Sequence, residues 1–270
     1  MRQILVGTAL GRFALAVRSS IELLWQAYHS PESVGTLVND QIATFLVTKL
    51  CLPGKGFVDV GAHIGSVISE VAYRDASIKL YAIEPVPEKL NRLQRRFPNI
   101  QCHACAVGES NGEIAFFINI KRPGYSSLRR SARDAEIVEI TVPLRTLDSL
   151  ISTSDIDVIK IDVEGAELGV LRGGNEVIAR SRPLVMFESG APVDDGLGYT
   201  KEAMWHWWHD RNFDLFFPNR VAHDAPGLTL DGFVDAHSYP RLTTNYFAIP
   251  KERRIEIRDR ARNVLKIKAA

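Results

Sequence analysis

The feature that most constrains the fold is the stretch FVDVGAHIGSVISE at residues 57–70, where an apolar run passes through a glycine turn into a helical pattern. The run carries Asp59 near its end, and Gly61 and Gly65 follow. A buried strand that feeds a helix through a glycine turn is how nucleotide-binding α/β folds hold a ligand at the carboxyl end of their sheet. The stretch therefore predicts an α/β fold with a ligand site at this turn.

Short apolar runs alternate with helical patterns along the chain, which indicates βαβ units and a mostly parallel, doubly wound sheet. The predicted strands are residues 56–60, 78–84, 99–105, 156–162, 183–188, 213–217 and 245–250. Two alternating segments at 112–120 and 135–144 interrupt this order, and we expect a hairpin-like β insertion there. We expect three parts: an N-terminal helical extension over 1–40, the α/β domain over 41–250 and a C-terminal basic helix over 251–270.

The overall composition argues against several classes of protein. The chain has 270 residues, of which 46% are hydrophobic, enough for a substantial core. The formal net charge of +1 gives no overall attraction to nucleic acid, so we expect no nucleic-acid partner, and the basic C-terminal stretch is typical of a solvated helix face.

The few cysteines point to a reducing compartment. Cys51, Cys102 and Cys105 are too few for a disulfide framework, so we expect a cytoplasmic location. Cys102 and Cys105 lie in a predicted strand, where residues three apart face opposite sides, so we expect small buried side chains rather than a metal site.

The first thirty residues resemble a signal peptide, but charged residues interrupt the apolar pattern. Arg2, Arg12, Arg18 and Glu22 are too frequent for a spanning helix, and no convincing small-residue cleavage site follows. We expect an amphipathic helix that packs on the domain or on a partner subunit, which would make a homo-oligomer. A helix lying on a membrane surface is the alternative.

The glycine turn departs from the dinucleotide fingerprint G-x-G-x-x-G, because Ala62 and His63 follow Gly61. An acid close before the first glycine would repel a pyrophosphate, but it suits a ligand with a cationic amino acid end, such as S-adenosylmethionine. Glu84 ends the second predicted strand about 20 residues further on, where a carboxylate can accept hydrogen bonds from both ribose hydroxyls. That position serves NAD and S-adenosylmethionine alike.

Three acids cluster at the end of the fourth predicted strand, in IDVIKIDVEGAELGVLRGG. Asp162, Glu164 and Glu167 would repel one another unless a cation, a proton or solvent relieves them. Together with VDVGAHIG, AIEP, ACAVG, SSL, LRTLDSL and NYFAIP in the same order, this segment resembles the FkbM family of methyltransferases over roughly residues 40–250. KIDVEGAE is the most specific part of the resemblance.

The resemblance implies a Rossmann-like class I methyltransferase fold, S-adenosylmethionine as methyl donor, and O-methylation of a sugar or another small hydroxylated metabolite. The residues that it assigns to the donor are Asp59, Gly61, Ala62, His63, Gly65, Glu84, Pro85, Cys105, Ala106, Ser126, Ser127 and Asp162. Asp59, Gly61 and Gly65 would surround its methionine part, and Glu84 its ribose. The family usually has a small polar residue such as Asn where this chain has His63, which leaves the donor contact there open.

Methylation of a hydroxyl needs a group that removes its proton as the oxygen attacks, either a base or a divalent metal. Asp162 is the first candidate base, in a catalytic group with Glu164 and Glu188. Asp162 and Glu188 could also ligate Mg²⁺.

Several other side chains are candidates for roles at the site. His63, His223 and His237 are rival bases. Trp205, Trp207 and Trp208 have the spacing of core residues, although one could stack on a sugar.

Two other functions remain open at this stage: a nicotinamide-dependent oxidoreductase on a Rossmann fold, and a protein that binds the donor without turnover. Ala62 and the acid-rich fourth strand disfavour the first. The acceptor, a small molecule or saccharide, cannot be read from the residues because substrate pockets in these folds are built from variable segments.

Overall fold

The chain forms an α/β structure around a seven-stranded sheet with the strand order β3-β2-β1-β7-β8-β10-β9. It is described here by a computed structural model over residues 9–120, 127–128, 136–190, 197 and 199–267. The strands are β1 Gly56–Val60, β2 Lys79–Ile83, β3 Gln101–His103, β4 Ala106–Val107, β5 Gly112–Asn119, β6 Ile137–Arg145, β7 Ile156–Ile161, β8 Leu184–Glu188, β9 Phe213–Phe216 and β10 Asn245–Pro250.

Helices cover both faces of the sheet, as the doubly wound prediction requires. They are α1 Ala9–His29, α2 Val34–Leu50, α3 Ser66–Arg74, α4 Pro87–Arg96, α5 Leu147–Leu150, α6 Glu167–Arg172, α7 Asn175–Ser181, α8 Lys201–His209, α9 Leu230–Asp235 and α10 Arg254–Leu265. Alternate residues of β1 point to opposite layers: Val58 packs with α6 to α9, and Phe57 packs with α2, α3, α4 and α10.

The direction of the strands gathers the polar strand ends at one edge. β3, β2, β1, β7 and β8 are parallel, so their carboxyl ends meet there. β10 runs antiparallel between β8 and β9, and it begins at that same edge, with Asn245 opposite Glu188. The predicted fold class is therefore confirmed.

The β insertion is also confirmed. β5 and β6 pair antiparallel from Gly112 opposite Leu144 to Asn119 opposite Ile137, and β4 adds a short parallel strand to form a second sheet. Ser127 bridges to Phe117 on β5, whereas Ser126 lies outside the described residues.

Two helices precede the sheet. The predicted boundary at residue 40 falls inside α2, whose Leu46, Val47 and Leu50 are buried in the core. Within residues 9–120, 127–128, 136–190 and 199–267, no helix combines the length and the apolar character that crossing a membrane requires.

The C-terminal helix differs from the solvated face that its basic sequence indicates. Ile257 and Ala261 of α10 are buried in the core. The buried Asp157 on β7 accepts hydrogen bonds from Arg253 and Arg260, each at 2.7 Å. Arg260 of this helix and Arg253 just before it are thus paired within the domain, because a buried carboxylate needs such partners.

The strand predicted over 99–105 is shorter than expected, since β3 spans only Gln101–His103. Cys105 lies beyond it and is 4% exposed. Burial raises the pKa of the Cys105 thiol to about 11, so the thiol is protonated at neutral pH. A protonated thiol is a poor ligand and a poor nucleophile, which agrees with the predicted apolar role.

The three tryptophans of α8 have mainly structural surroundings. Trp207 and Trp208 belong to the core, with Trp208 fully buried. Trp205 is part-buried, donates its indole N–H to the Leu228 carbonyl at 3.0 Å and stacks on His209.

Candidate active site

The glycine turn after β1 presses directly against the turn after β7. Gly61 has φ +78°, and a Cβ there would lie 1.9 Å from the carbonyl oxygen of Asp162, so only glycine fits. Gly65 has the same φ of +78° and is the N-cap of α3. His63 has φ +50°, a left-handed conformation in which Asn, Asp and His are enriched among non-glycine residues. The turn therefore accepts histidine where the resembled family usually has Asn.

Glu84, immediately after β2, is buried and held by three donors. Its carboxylate accepts the backbone N–H of His63 at 3.0 Å and that of Val86 at 3.2 Å. The Lys89 ammonium lies 3.1 Å from the same carboxylate. These contacts fix the carboxylate in one orientation beside the glycine turn.

Lys160 on β7 is a buried cation beneath this turn. Its Nζ lies 3.2 Å from a carboxylate oxygen of Asp59 and 3.2 Å from one of Asp162, and it donates to the Gly61 carbonyl at 3.0 Å. Burial alone would lower its pKa, but the two carboxylates raise the pKa of Lys160 above its ordinary value. Sequence reasoning missed this residue, although a lysine inside an otherwise apolar strand was the available signal.

Asp59 lies behind the cavity rather than in its wall. Its side chain is 1% exposed, and within the described residues neither carboxylate oxygen makes a hydrogen bond that meets normal geometry. The ion pair with Lys160 is its main compensation. Burial raises the pKa of Asp59 even so.

Asp162 and Glu188, at the ends of the neighbouring strands β7 and β8, share a hydrogen bond. Burial favours the neutral form of Asp162, but the Lys160 ammonium and the hydrogen bond from Glu188 hold the pKa of Asp162 below its ordinary value. Burial and the charge of Asp162 raise the pKa of Glu188 well above its ordinary value. Of this pair, Asp162 therefore favours the carboxylate form, and Glu188 favours the protonated form that donates the shared hydrogen bond.

Glu164 and Glu167 complete the acid-rich turn. Glu167 accepts the backbone N–H groups of Val163 and Gly165, at 3.0 and 3.2 Å, which closes the turn. Glu164 has φ +57°, a strained conformation of the kind that clusters at functional sites. Burial and the charge of Asp162 raise the pKa of Glu164 to about 8. Ligand oxygens of Asp162, Glu164 and Glu188 lie within 4.8 Å of one another.

A cavity of about 690 Å³, including its open mouth, connects the glycine turn, Glu84 and the acid cluster. This volume is in the range of small-molecule and cofactor sites. The predicted site residues in its wall are Gly61, His63, Glu84, Pro85, Cys105, Ala106, Asp162 and Glu164. The predicted residues Asp59, Ala62, Gly65, Ser127 and Glu188 lie outside the wall. Sequence reasoning missed the apolar wall residues Phe116 and Leu128, which the β insertion brings over the cavity.

The three rival histidines differ in their availability. His237 is buried, and its Nδ1 donates to the Phe233 carbonyl at 2.7 Å, so its Nε2 accepts from the Ser189 hydroxyl at 2.8 Å. His223 is exposed and outside the cavity wall. His63 lines the cavity; burial and the charge of Lys89 lower its pKa, so the imidazole is neutral.

This sheet, with one antiparallel strand inserted beside the last parallel one and a ligand cavity at the carboxyl edge, is that of the class I methyltransferases. The family model described as "Methyltransferase FkbM domain" matches residues 59–215, which is more than half of the chain. The chain belongs to the FkbM methyltransferase family.

Individual relatives are more distant. "Methyltransferase 1" of Beauveria bassiana (strain ARSEF 2860) is 25% identical, over 43% of this chain and 57% of the relative. The crystal structure of an FkbM methyltransferase from Methylobacillus flagellatus KT is 23% identical, with a TM-score of 0.37, and the match covers 50% of this chain and 32% of that one. A TehB-like SAM-dependent methyltransferase from Corynebacterium glutamicum ATCC 13032 Kitasato is 10% identical, with a TM-score of 0.40, and covers 77% and 85%. The chain thus spans little more than half the length of its curated relative.

Proposed function

We propose that the protein transfers the methyl group of S-adenosylmethionine to a hydroxyl oxygen of a small molecule or saccharide. The observation that carries the proposal is one cavity that joins the anchored Glu84 carboxylate to the Asp162 acid cluster. Family membership supports the methyltransferase chemistry and makes a nicotinamide-dependent oxidoreductase the weaker alternative.

The cavity offers a matching surface to each part of the donor. Glu84 would accept hydrogen bonds from the ribose hydroxyls, since its carboxylate retains acceptor capacity beyond its backbone contacts. Cys105, Ala106, Phe116 and Leu128 supply an apolar wall for adenine. The turn at Gly61 would then lie beside the methionine part, close to the acids.

The reaction needs one proton acceptor. As the acceptor oxygen attacks the methyl carbon, the O–C bond forms and the S–C bond breaks. The proton on that oxygen thereby becomes strongly acidic. We assign Asp162 as the group that takes this proton, because it lines the cavity and is the member of the acid pair that Lys160 keeps ionised. Glu164, which lines the cavity and whose raised pKa favours its neutral form, would orient the hydroxyl by hydrogen bonding. Glu188, outside the wall, would hold Asp162 in place through their shared hydrogen bond.

In a second form of this proposal, Mg²⁺ activates the acceptor hydroxyl. Asp162, Glu164 and Glu188 would hold it, since hard carboxylate oxygens within 4.8 Å of one another suit this ion, which would make the hydroxyl more acidic. The nearby Lys160 ammonium, at 3.2 Å from Asp162, already supplies positive charge and favours the metal-free form. Chelation by EDTA separates the two forms: turnover is unchanged in one and lost in the other.

Calorimetry with S-adenosylmethionine, S-adenosylhomocysteine and NAD⁺ tests the donor assignment. We expect saturable binding of the first two and none of NAD⁺. Formation of S-adenosylhomocysteine with a panel of hydroxylated acceptors then distinguishes an enzyme from a protein that only binds the donor. Tight NAD⁺ binding without S-adenosylmethionine binding would overturn the proposal.

We also propose a cytoplasmic enzyme that has no nucleic-acid partner. The three free cysteines and the net charge of +1 support this assignment. Subcellular fractionation and a gel-shift assay with duplex and single-stranded oligonucleotides test it.

A further inference from the structure

A second open cleft lies at the same edge of the sheet as the donor cavity, between the N-terminal helices and the segment that leads into β10. Its free space is about 1070 Å³, including the open mouth. The part of the wall used below consists of Gln26, Ser33, Thr36, Asp40, Arg241 and Thr244. We call it the second cleft.

Two hydrogen bonds link the wall of the second cleft to Ser189, the residue that follows Glu188. The Thr244 carbonyl accepts the backbone N–H of Ser189 at 2.8 Å, and Ser189 directly follows Glu188. His237, another wall residue, hydrogen-bonds the Ser189 hydroxyl at 2.8 Å. The buried Ser189 thus connects the wall of this cleft to Glu188, which hydrogen-bonds Asp162.

One wall of the second cleft is held in place by Asp40 on α2. Its carboxylate accepts five hydrogen bonds from Thr243, Thr244 and Asn245, at 2.8 to 3.2 Å. This network ties the N-terminal helix to the start of β10. Four of these bonds end on Oδ1 and one on Oδ2, so the network uses most of the acceptor capacity of Asp40.

Arg241 is different, because its half-buried guanidinium has no hydrogen bond or ion pair within the described part of the chain. A guanidinium matches a carboxylate or phosphate with two parallel hydrogen bonds. Gln26 and Ser33 add neutral polar groups beside it. The second cleft thus combines one available cation with groups suited to hydroxyls.

We propose that the second cleft binds the methyl acceptor, and that this acceptor is an anionic saccharide or similar polyhydroxylated molecule whose carboxylate or phosphate pairs with Arg241. The proposal rests on the proposed function. It makes the N-terminal helices part of the acceptor site, through Gln26, Ser33 and Thr36.

The test uses the full-length protein saturated with S-adenosylhomocysteine and three probes that differ in charge: glucose, glucuronate and glucose 6-phosphate. We expect calorimetry to show that the two anionic probes bind at least about tenfold more tightly than glucose does. Arg241→Gln should remove this difference. Arg220→Gln is the matched control, because Arg220 is exposed and outside the cleft.

Equal affinities for the three probes, no saturable binding of any probe, or an unchanged preference in Arg241→Gln would each overturn the assignment. The melting temperature of the variant should match that of the wild type, since Arg241 has no side-chain partner among the described residues. Failure of S-adenosylhomocysteine to bind would instead overturn the proposed function, so the two failures are distinguishable. Tighter binding of only one anionic probe would support the proposal and identify the anionic group as carboxylate or phosphate.

Discussion

Asp162 is the residue at which donor binding and proton transfer should come apart. Asp162→Asn keeps the shape of the side chain but removes the charge that accepts the proton. We expect single-turnover rates to fall by about 10² to 10⁴, while the affinity for S-adenosylmethionine stays within a few-fold.

The matched control for this variant is Asp155→Asn. Asp155 is partly exposed and lies just before β7, at the end of the strand opposite to Asp162. A normal rate in Asp162→Asn would remove Asp162 from the mechanism. Joint loss of rate, donor affinity and melting temperature would assign it a structural role with Lys160. A normal Asp162→Asn together with a slow His63→Asn would transfer the base to His63.

Glu84 carries the ribose assignment. Glu84→Gln retains the size of the side chain and one acceptor oxygen, but it removes the charge that pairs with Lys89. We expect S-adenosylmethionine binding to weaken by about 1 to 3 kcal/mol, measured by calorimetry. Glu88→Gln is the matched control. Glu88 is exposed and outside the cavity wall, so this variant should bind S-adenosylmethionine normally. Unchanged affinity in the Glu84 variant would contradict the assignment.

At the residue scale, the sequence predicts acids that follow strands but hides Lys160. Asp162 and Glu84 stand directly after apolar runs, so parallel strands bring them together by topology alone. Lys160 lies inside such a run, where no pattern tells whether a buried cation has partners. Its role depends on Asp59, which lies on a different strand, about 100 residues earlier in the chain.

At the scale of elements, α1 leaves an apolar stripe uncovered. Ile21, Leu24, Trp25 and Tyr28 are 60%, 72%, 58% and 84% exposed. Contiguous exposed apolar side chains mark interaction sites, so we expect this stripe to mediate self-association. In sedimentation experiments the wild type should form a dimer, and Ile21→Asn with Leu24→Asn should shift it to a monomer.

The control for the stripe is Ala27→Asn, an exposed position on the same helix. A monomeric wild type that floats with anionic vesicles would assign α1 to a membrane surface instead. A monomer that does not float would contradict both uses of the helix.

Elements were predicted best where strand and helix patterns alternate. The predicted end of the third strand was wrong, because Cys105 is apolar and buried without belonging to β3. The sequence predicts a solvated C-terminal helix because arginines dominate its pattern. Only the fold brings them to Asp157 on β7.

At the scale of the whole molecule, raised carboxyl pKa values predict that stability falls as pH rises towards about 8. Burial raises the pKa of Glu164 to about 8 and that of Glu167 to about 7, from 4.5 in each case. Above their ordinary pKa the folded chain keeps protons that the unfolded chain has lost, so the free energy of unfolding falls as pH rises. This fall ends once pH passes about 8.

Buried histidines with lowered pKa values act in the opposite direction, but only up to about pH 6.5, where the unfolded state loses their protons. Denaturant unfolding between pH 6.5 and 8 should therefore show declining stability in the wild type. Glu164→Gln should flatten the decline, and the exposed-site control Glu176→Gln should retain it. An equal slope in Glu164→Gln would show that Glu164 is already ionised at neutral pH.

The second cleft could not be predicted from the sequence. It joins α2 to the segment before β10, and its fixed contacts, such as that between Asp40 and Thr244, link residues more than 200 positions apart. Periodicity describes each element alone and contains no information on such pairings.

The position of β10 in the sheet limits how far this chain can be shortened. The family model matches the chain only as far as residue 215, yet β10, at Asn245–Pro250, is the strand that separates β8 from β9. A fragment of residues 59–215 would lack β10. The backbone edges of β8 and β9 that pair with it would then be exposed, and exposed strand edges promote aggregation. The segment that the family model matches is therefore smaller than the sheet that this chain builds.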